Sequence, residues 1–299
     1  MADQVLVTEV VLRDGFQDEP LVVPTHEKLR LARALVDAGL TSLEVGSFVA
    51  PGKVPQLADT DELVSTLEPG TPATLHTLVF NERGARRAIA AGARSVRFVV
   101  SASEGHSVAN AGVGTDAALD RLAAAASLLT SAGVALEACI ATAFVCPFDG
   151  DTDPGRVVAI ASRLIGLGAR VIHLADTIGA ANPSRIRRTV KAVQGLDRPL
   201  GLHAHNTYGL AAANVWEALN LGVRRFDSSL GGIGGCPFAP GAAGNAGTDD
   251  LVNLFHREGL ATGIDVVKLA EIRTQVGITV GHRLESALSA IPAVPAALR

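Results

Sequence analysis

An arginine and an aspartate, Arg13 and Asp14, stand together where an apolar run that begins at Val5 gives way to polar residues. Such a pair is either a surface turn with a helix-capping aspartate or part of a site. Glu44 sits between Leu43 and Val45. A carboxylate in that setting is costly to bury unless paired, and Arg13 is its natural partner. A structural ion pair and a catalytic role fit Glu44 equally well. His203 and His205 are two apart in GLHAHNTYG, so in a strand their rings face the same side. A lone strand histidine is more often a satisfied core group, but a pair at a strand end makes an edge for a metal ion. Asp176 closes HLADTIG and can act from behind a metal ligand or as a proton carrier, while His173, three residues earlier, reads as a core or wall residue. The glycine-dense run SSLGGIGGCPFAPGAAGNAGTDDL holds Cys236 and Asn245. Its glycines let the backbone turn tightly and approach a ligand, although it matches neither G-x-G-x-x-G nor the P-loop. Of the cysteines, Cys139 reads as packing and Cys236 as the better candidate for reactivity.

These residues need a scaffold, and the patterning supplies one. Short apolar runs alternate with helical patterns eight times. The strand candidates are Val5–Leu12, Ser42–Val45, Thr74–Phe80, Ser95–Ser101, Ala135–Ala141, Arg170–Ala175, Gly201–His205 and Arg225–Leu230, as expected of strands buried on both faces. Thr25 is read as the cap of the first helix, with an apolar stripe from Leu29 to Leu35 and a closing glycine at Gly39. Thr60–Leu67, Glu82–Ala91, Asp116–Ala132, Pro154–Leu167, Pro183–Val193, Leu210–Leu221 and Asp249–Glu258 follow, then one further helix at about Val266–Thr274. An open doubly wound sheet has the same local pattern, but the count and length favour a (β/α)8 TIM barrel with an extra C-terminal helix. Residues 1–280 are read as the catalytic barrel domain and 281–299 as a tail, loosely ordered or packed on a neighbour.

In such a barrel, chemistry sits at the C-terminal strand ends, and strands 7, 8 and 1 are neighbours. Asp14, His203, His205 and Asn245 can therefore converge. Two nitrogens and two oxygens suit an octahedral divalent ion such as Mg2+ or Mn2+ better than structural zinc.

Composition excludes other classes. The 299 residues are 48% hydrophobic and 19% charged with a net charge of −4, which argues against disorder and, with no basic block, against nucleic acid. No long apolar stretch reads as a membrane span. Three cysteines are too few for a disulfide framework. The opening residues show no secretory pattern, so the expected location is cytoplasmic.

The motifs LRDGFQDEP, LEVGSFVAPGKVPQLADTDEL, LADTIG, LHAHNTYG and GGIGGCPFAPGAAGNAGTDDL resemble the 3-hydroxy-3-methylglutaryl-CoA lyase family, within the larger group of metal-dependent barrel lyases and Claisen-type synthases. The likeness runs from about Val5 to Ile278, and the GGCP loop followed by GNAGT carries the lyase assignment. The resemblance implies metal ligands at Asp14, His203, His205 and Asn245, and Arg13 as the cation for an enolate. It implies Cys236 as a loop acid, Glu44 and Asp176 in support, and an acyl-CoA substrate cleaved to acetyl-CoA and acetoacetate, as in leucine degradation. A metal-bound His203 and Asp176 are alternative proton carriers. Lys53 is the lysine assigned to a CoA phosphate, and Asn110 is assigned to the pocket. A homodimer is expected. The chain departs from the family pattern at Asn206, where relatives commonly have aspartate, and at Phe80, where a proline precedes the usual asparagine. Both departures bear on the substrate more than on the reaction.

Overall fold

The fold is that of a computed structural model, which describes residues 4–235 and 244–291. Eight parallel strands close into a barrel: Leu6–Glu9, Ser42–Ser47, Thr74–Val79, Ser95–Ser101, Ala135–Ala141, Ile172–Asp176, Leu200–Ala204 and Arg225–Ser228. Numbered one to eight in that order, each pairs with its sequence neighbours, and strand 1 closes the ring on strand 8 with Glu9 opposite Ser228. The helices of the βα units cover the barrel. Their apolar stripes pack on strands whose residues are buried almost throughout, in a continuous core that includes Leu31, Leu43, Val64, Phe98, Leu164, Ile172, Val215 and Phe226. A small antiparallel pair, Val145–Cys146 with Gly150–Asp151, lies after strand 5.

Most expected boundaries match within two residues, and three differences matter. Strand 1 ends at Glu9, not Leu12. Residues Val11–Gly15 instead form a single π-helical turn, in which Arg13, Asp14 and Gly15 all donate their N–H to the Val10 carbonyl at 2.8–3.1 Å. Buried Glu9 causes the break: it accepts from the Val11 N–H at 2.8 Å and from Leu230 N–H at 2.9 Å, drawing the chain out of the ladder. Single π turns of this kind concentrate at functional sites, and this one projects Arg13 and Asp14 over the barrel mouth. Second, Thr25 is the first residue of its helix rather than its cap, a place taken by Pro24. Third, Glu104–Ala111 is a helix that the glycine- and alanine-rich sequence concealed, capped by Ser103, whose hydroxyl accepts from His106 N–H at 3.2 Å.

The closing helix, Val266–Val280, is longer than its pattern foretold. As far as Ile291 the segment after it packs on its own chain: Ser286 Oγ donates to Asp249 Oδ2 at 2.7 Å, and Glu285 and Ser286 N–H both bond Gly231 O at 2.8 Å. Gly231 follows strand 8, so this segment braces the start of the glycine-dense run.

Candidate active site

Asp14, His203 and His205 each offer one ligand atom, all within 4.8 Å of one another. Asp14 comes from the π turn after strand 1. His203 lies in strand 7 and His205 just beyond its end, so alternation turns both rings inward. The fourth expected ligand joins them: Asn245 Nδ2 donates to Asp14 Oδ2 at 2.8 Å, and a backbone bridge pairs Asn245 with His205. Gly234 makes room for that approach. Its φ is +117°, and a β-carbon there would stand 2.5 Å from Asn245 Nδ2.

The donor atoms face one another closely. His203 Nε2 and His205 Nε2 are 3.1 Å apart, and they lie 3.7 and 3.5 Å from Asp14 Oδ2. His203 Nδ1 lies 3.3 Å from Asp227 Oδ2, an acceptor that fixes the proton on Nδ1 and leaves the Nε2 lone pair toward the group. Burial raises the cost of charge on Asp14, yet Arg13 and the two imidazoles hold its carboxyl well below the ordinary range. Asn245 Oδ1 is buried with no partner among the described residues. An anionic oxygen, two imidazole nitrogens and an unsatisfied amide oxygen are a donor set that fits a divalent cation.

Beside these donors runs a chain of ion pairs. Arg13 contacts both Asp14 Oδ1 and Glu44 Oε1 through its guanidinium. The other Glu44 oxygen accepts from Arg97 Nη1 at 3.0 Å, and the same nitrogen donates to Asp227 Oδ2 at 2.7 Å. All line or floor one cavity of about 200 Å3, with Leu78, Phe80, Val99, His106, Asn110 and Gly235 along its wall. The lining mixes charged and polar groups with apolar ones, as ligand cavities commonly do.

A family model described as HMGL-like matches residues 4–276. The chain belongs to the HMGL-like family. It is 40% identical over 296 residues to an (R)-citramalyl-CoA lyase of Chloroflexus aurantiacus, with 94% of this chain and 93% of that protein covered. It is 37% identical over 279 residues to a hydroxymethylglutaryl-CoA lyase of Pseudomonas mevalonii, with 93% of each covered. Among solved structures, an HMG-CoA lyase of Acenitobacter baumannii in complex with coenzyme A and 3-methylmalate superposes with a TM-score of 0.93 at 38% identity, covering 98% of this chain and 97% of that one. This HMGL-like chain is a carbon–carbon lyase.

Within the HMGL-like barrel the expected residues divide. Arg13, Asp14, Glu44, His203, His205 and Asn245 come together. Asn110, on the helix missed in the sequence, reaches the cavity wall. Asp176 ends strand 6 but is fully buried, and both its oxygens accept from Ala181 N–H, at 3.1 and 3.2 Å. Lys53 is exposed in the loop after strand 2 and is not among the cavity residues. Cys236 lies outside the described residues. Cys139, expected only to pack, lines the cavity, and burial pushes its thiol up to about 12, which keeps it protonated and unreactive. Phe80 lines the cavity, and Asn81 still caps the following helix by accepting from Gly84 N–H at 3.0 Å. Among the described residues, no helix is long and apolar enough to cross a membrane.

Arg97, Asp227 and Glu137 escaped the sequence reading. The signal was present: each stands third in its strand, as Glu44 does in strand 2, and Arg97 and Glu137 are the lone charges of theirs. Barrel interiors are normally filled by branched apolar side chains, so a charge recurring at that place in several strands marks a polar layer.

Asp176 yields a pH prediction. Burial pushes its carboxyl up to about 6 against the backbone N–H groups that stabilise the anion. The folded chain therefore holds this proton more tightly than the unfolded chain, whose ordinary value is 3.8. The contribution to stability is present below about pH 4 and is lost as pH rises through 6, by about 3 kcal/mol. Asp176→Asn abolishes that titration. Calorimetry of metal-free protein should show the variant gaining on the parent between pH 4 and 7, and a gap that stays constant with pH would refute the assignment.

Proposed function

We propose that this chain is a divalent-metal-dependent lyase that cleaves 3-hydroxy-3-methylglutaryl-CoA to acetyl-CoA and acetoacetate. One observation carries the chemistry: the Asp14, His203 and His205 donors, with Asn245 bonded to Asp14 beside them, line the same cavity as an Arg13 guanidinium held by Glu44. The names of the hydroxymethylglutaryl-CoA lyase relatives, and the coenzyme A in one of the solved relatives, support the acyl-CoA class.

A bound Mg2+ or Mn2+ supplies acidity to a coordinated hydroxyl and a template for a neighbouring carboxylate. The chain's residues do the rest. The tertiary hydroxyl gives up its proton, the oxygen becomes a ketone, the C2–C3 bond breaks, and its electron pair moves onto the thioester as an enolate. Arg13, nearly withdrawn from water and oriented by Glu44, offers the fixed positive charge that the enolate oxygen needs. A proton delivered to C2 then completes acetyl-CoA. Cys236 is assigned that delivery, with Asp176 as the candidate for taking the hydroxyl proton. Burial pushes the Asp176 carboxyl up to about 6, within the range suited to proton transfer near neutral pH. Cys236→Ser should slow turnover by roughly 10²–10⁴-fold, the range of general acid–base catalysis, while Mn2+ affinity stays unchanged. A full rate in that variant would remove Cys236 from the mechanism. The proposed form is a cytoplasmic homodimer, and light scattering checks the dimer.

A second reading has its own support, the relative named (R)-citramalyl-CoA lyase. Citramalyl-CoA carries the same methylated tertiary alcohol on an acid one methylene shorter, and its cleavage gives acetyl-CoA and pyruvate. Parallel kcat/KM measurements on the two thioesters decide. The proposal expects at least a tenfold preference for the glutaryl compound; the opposite preference moves the assignment to the second reading.

A further inference from the structure

Arg97 is 1% exposed, and none of the expected roles involves it. It rises from the middle of strand 4 into the barrel interior, where its Nη1 donates to Asp227 Oδ2 at 2.7 Å and to Glu44 Oε2 at 3.0 Å. Its Nη2 lies 3.2 Å from Glu137 Oε2 and 3.1 Å from His173 Nε2. Both Nη groups are thus taken up by side chains of the cavity floor, while the buried Nε has no partner among the described residues.

Its two strongest partners lead to the two halves of the site. Glu44 uses its other oxygen to hold Arg13. Asp227 uses the same Oδ2 to face His203 Nδ1 at 3.3 Å, so one oxygen stands between Arg97 and a metal-ligand ring. The contact to Arg97 is the shorter of the two and fixes that oxygen opposite the ring. We propose that Arg97 is a positioning residue that sets the metal half and the cation half of the site against each other: through Asp227 it aims the His203 Nε2 lone pair at Asp14 and His205, and through Glu44 it aims Arg13. This role rests on the reading of Asp14, His203, His205 and Asn245 as a metal centre.

The test measures Mn2+ affinity by calorimetric titration of the metal-stripped full chain, alongside kcat and KM. Groups that orient a metal ligand typically cost 10–100-fold in affinity when lost. Arg97→Met should fall in that range, and its kcat at saturating Mn2+ should also drop, because Arg13 loses its support. Arg97→Lys keeps a charge opposite Asp227 but not the fork that spans two carboxylates. It should recover part of the Mn2+ affinity, to within about 3–10-fold of the parent, with kcat still reduced. A purely structural role would lower the melting temperature of both variants and leave Mn2+ affinity and kcat at parental values in the folded protein, and that result overturns the proposal. Where Arg97→Met does not fold, Arg97→Lys is read alone by the same criterion. A parent that binds no Mn2+ would instead overturn the metal centre itself, so the two failures are distinct.

Discussion

Asp14→Asn is expected to lose divalent-metal binding by more than about 100-fold, beyond the 10–100-fold typical of losing a group that only orients a ligand, and to lose turnover with it. Asp14 is the one anion among the donors, and its negative charge is what balances two neutral imidazoles and an amide oxygen around a dication. It is also the point where the site's parts meet: Arg13 pairs with one oxygen, and Asn245 Nδ2 and both imidazoles lie against the other. The asparagine keeps the size of the side chain and one carbonyl oxygen, so the barrel itself should fold. Its carboxyl is held well below the ordinary carboxylate range by Arg13 and the histidines, against the cost of burial. That depressed value stabilises the fold at neutral pH and is lost as pH falls through it, so the variant's stability deficit should shrink in strong acid. Calorimetric titration with Mn2+ reads the first effect directly, and parental affinity in the variant would remove Asp14 from the ligand set.

Arg13→Met is expected to do the opposite to metal and the same to turnover. Arg13 sits beside the donor group and pairs with its anion, so removing a positive charge there should leave Mn2+ affinity equal to the parent's or tighter. Turnover should nonetheless fall by about 10²–10³-fold, the usual consequence of deleting one group aimed at a developing oxyanion. Glu44 retains Arg97 as a partner and is not stranded. Arg13→Lys should recover little, because a point charge cannot reproduce the fork that meets Glu44 and Asp14 together. A variant that lost metal and rate in parallel would mean that Arg13 serves only to build the metal centre.

Much of this site was legible in the sequence, and the reasons are physical. The eight strand–helix units repeat a strong period change, and a barrel then dictates which strand ends are neighbours. His203 and His205 followed from alternation alone, and Asp14 and Asn245 from the adjacency of strands 7, 8 and 1. What escaped depended on single residues acting at a distance. The π turn over Val11–Gly15 is caused by Glu9, whose partners Leu230 and Thr248 lie more than 200 residues away in the chain. Arg97 and Glu137 each look like an isolated charge in an apolar run, Asp227 like one more charge beside Arg225, and only closure of the barrel shows that the three satisfy one another. The helix Glu104–Ala111 has a weak local signal because Gly105 lies in its first turn, and tertiary packing completes it.

The central claim is that Asp14, His203, His205 and Asn245 hold a divalent ion in service of acyl-CoA cleavage beside Arg13. The most direct measurement strips the full chain of metal with a chelator, supplies 3-hydroxy-3-methylglutaryl-CoA or citramalyl-CoA, and follows acetyl-CoA by mass spectrometry before and after Mg2+ or Mn2+ is added. The account predicts no product from the stripped protein and stoichiometric acetyl-CoA and keto acid from at least one of the two thioesters once metal returns. Undiminished cleavage in the stripped protein, or none with either ion and either thioester, would contradict it.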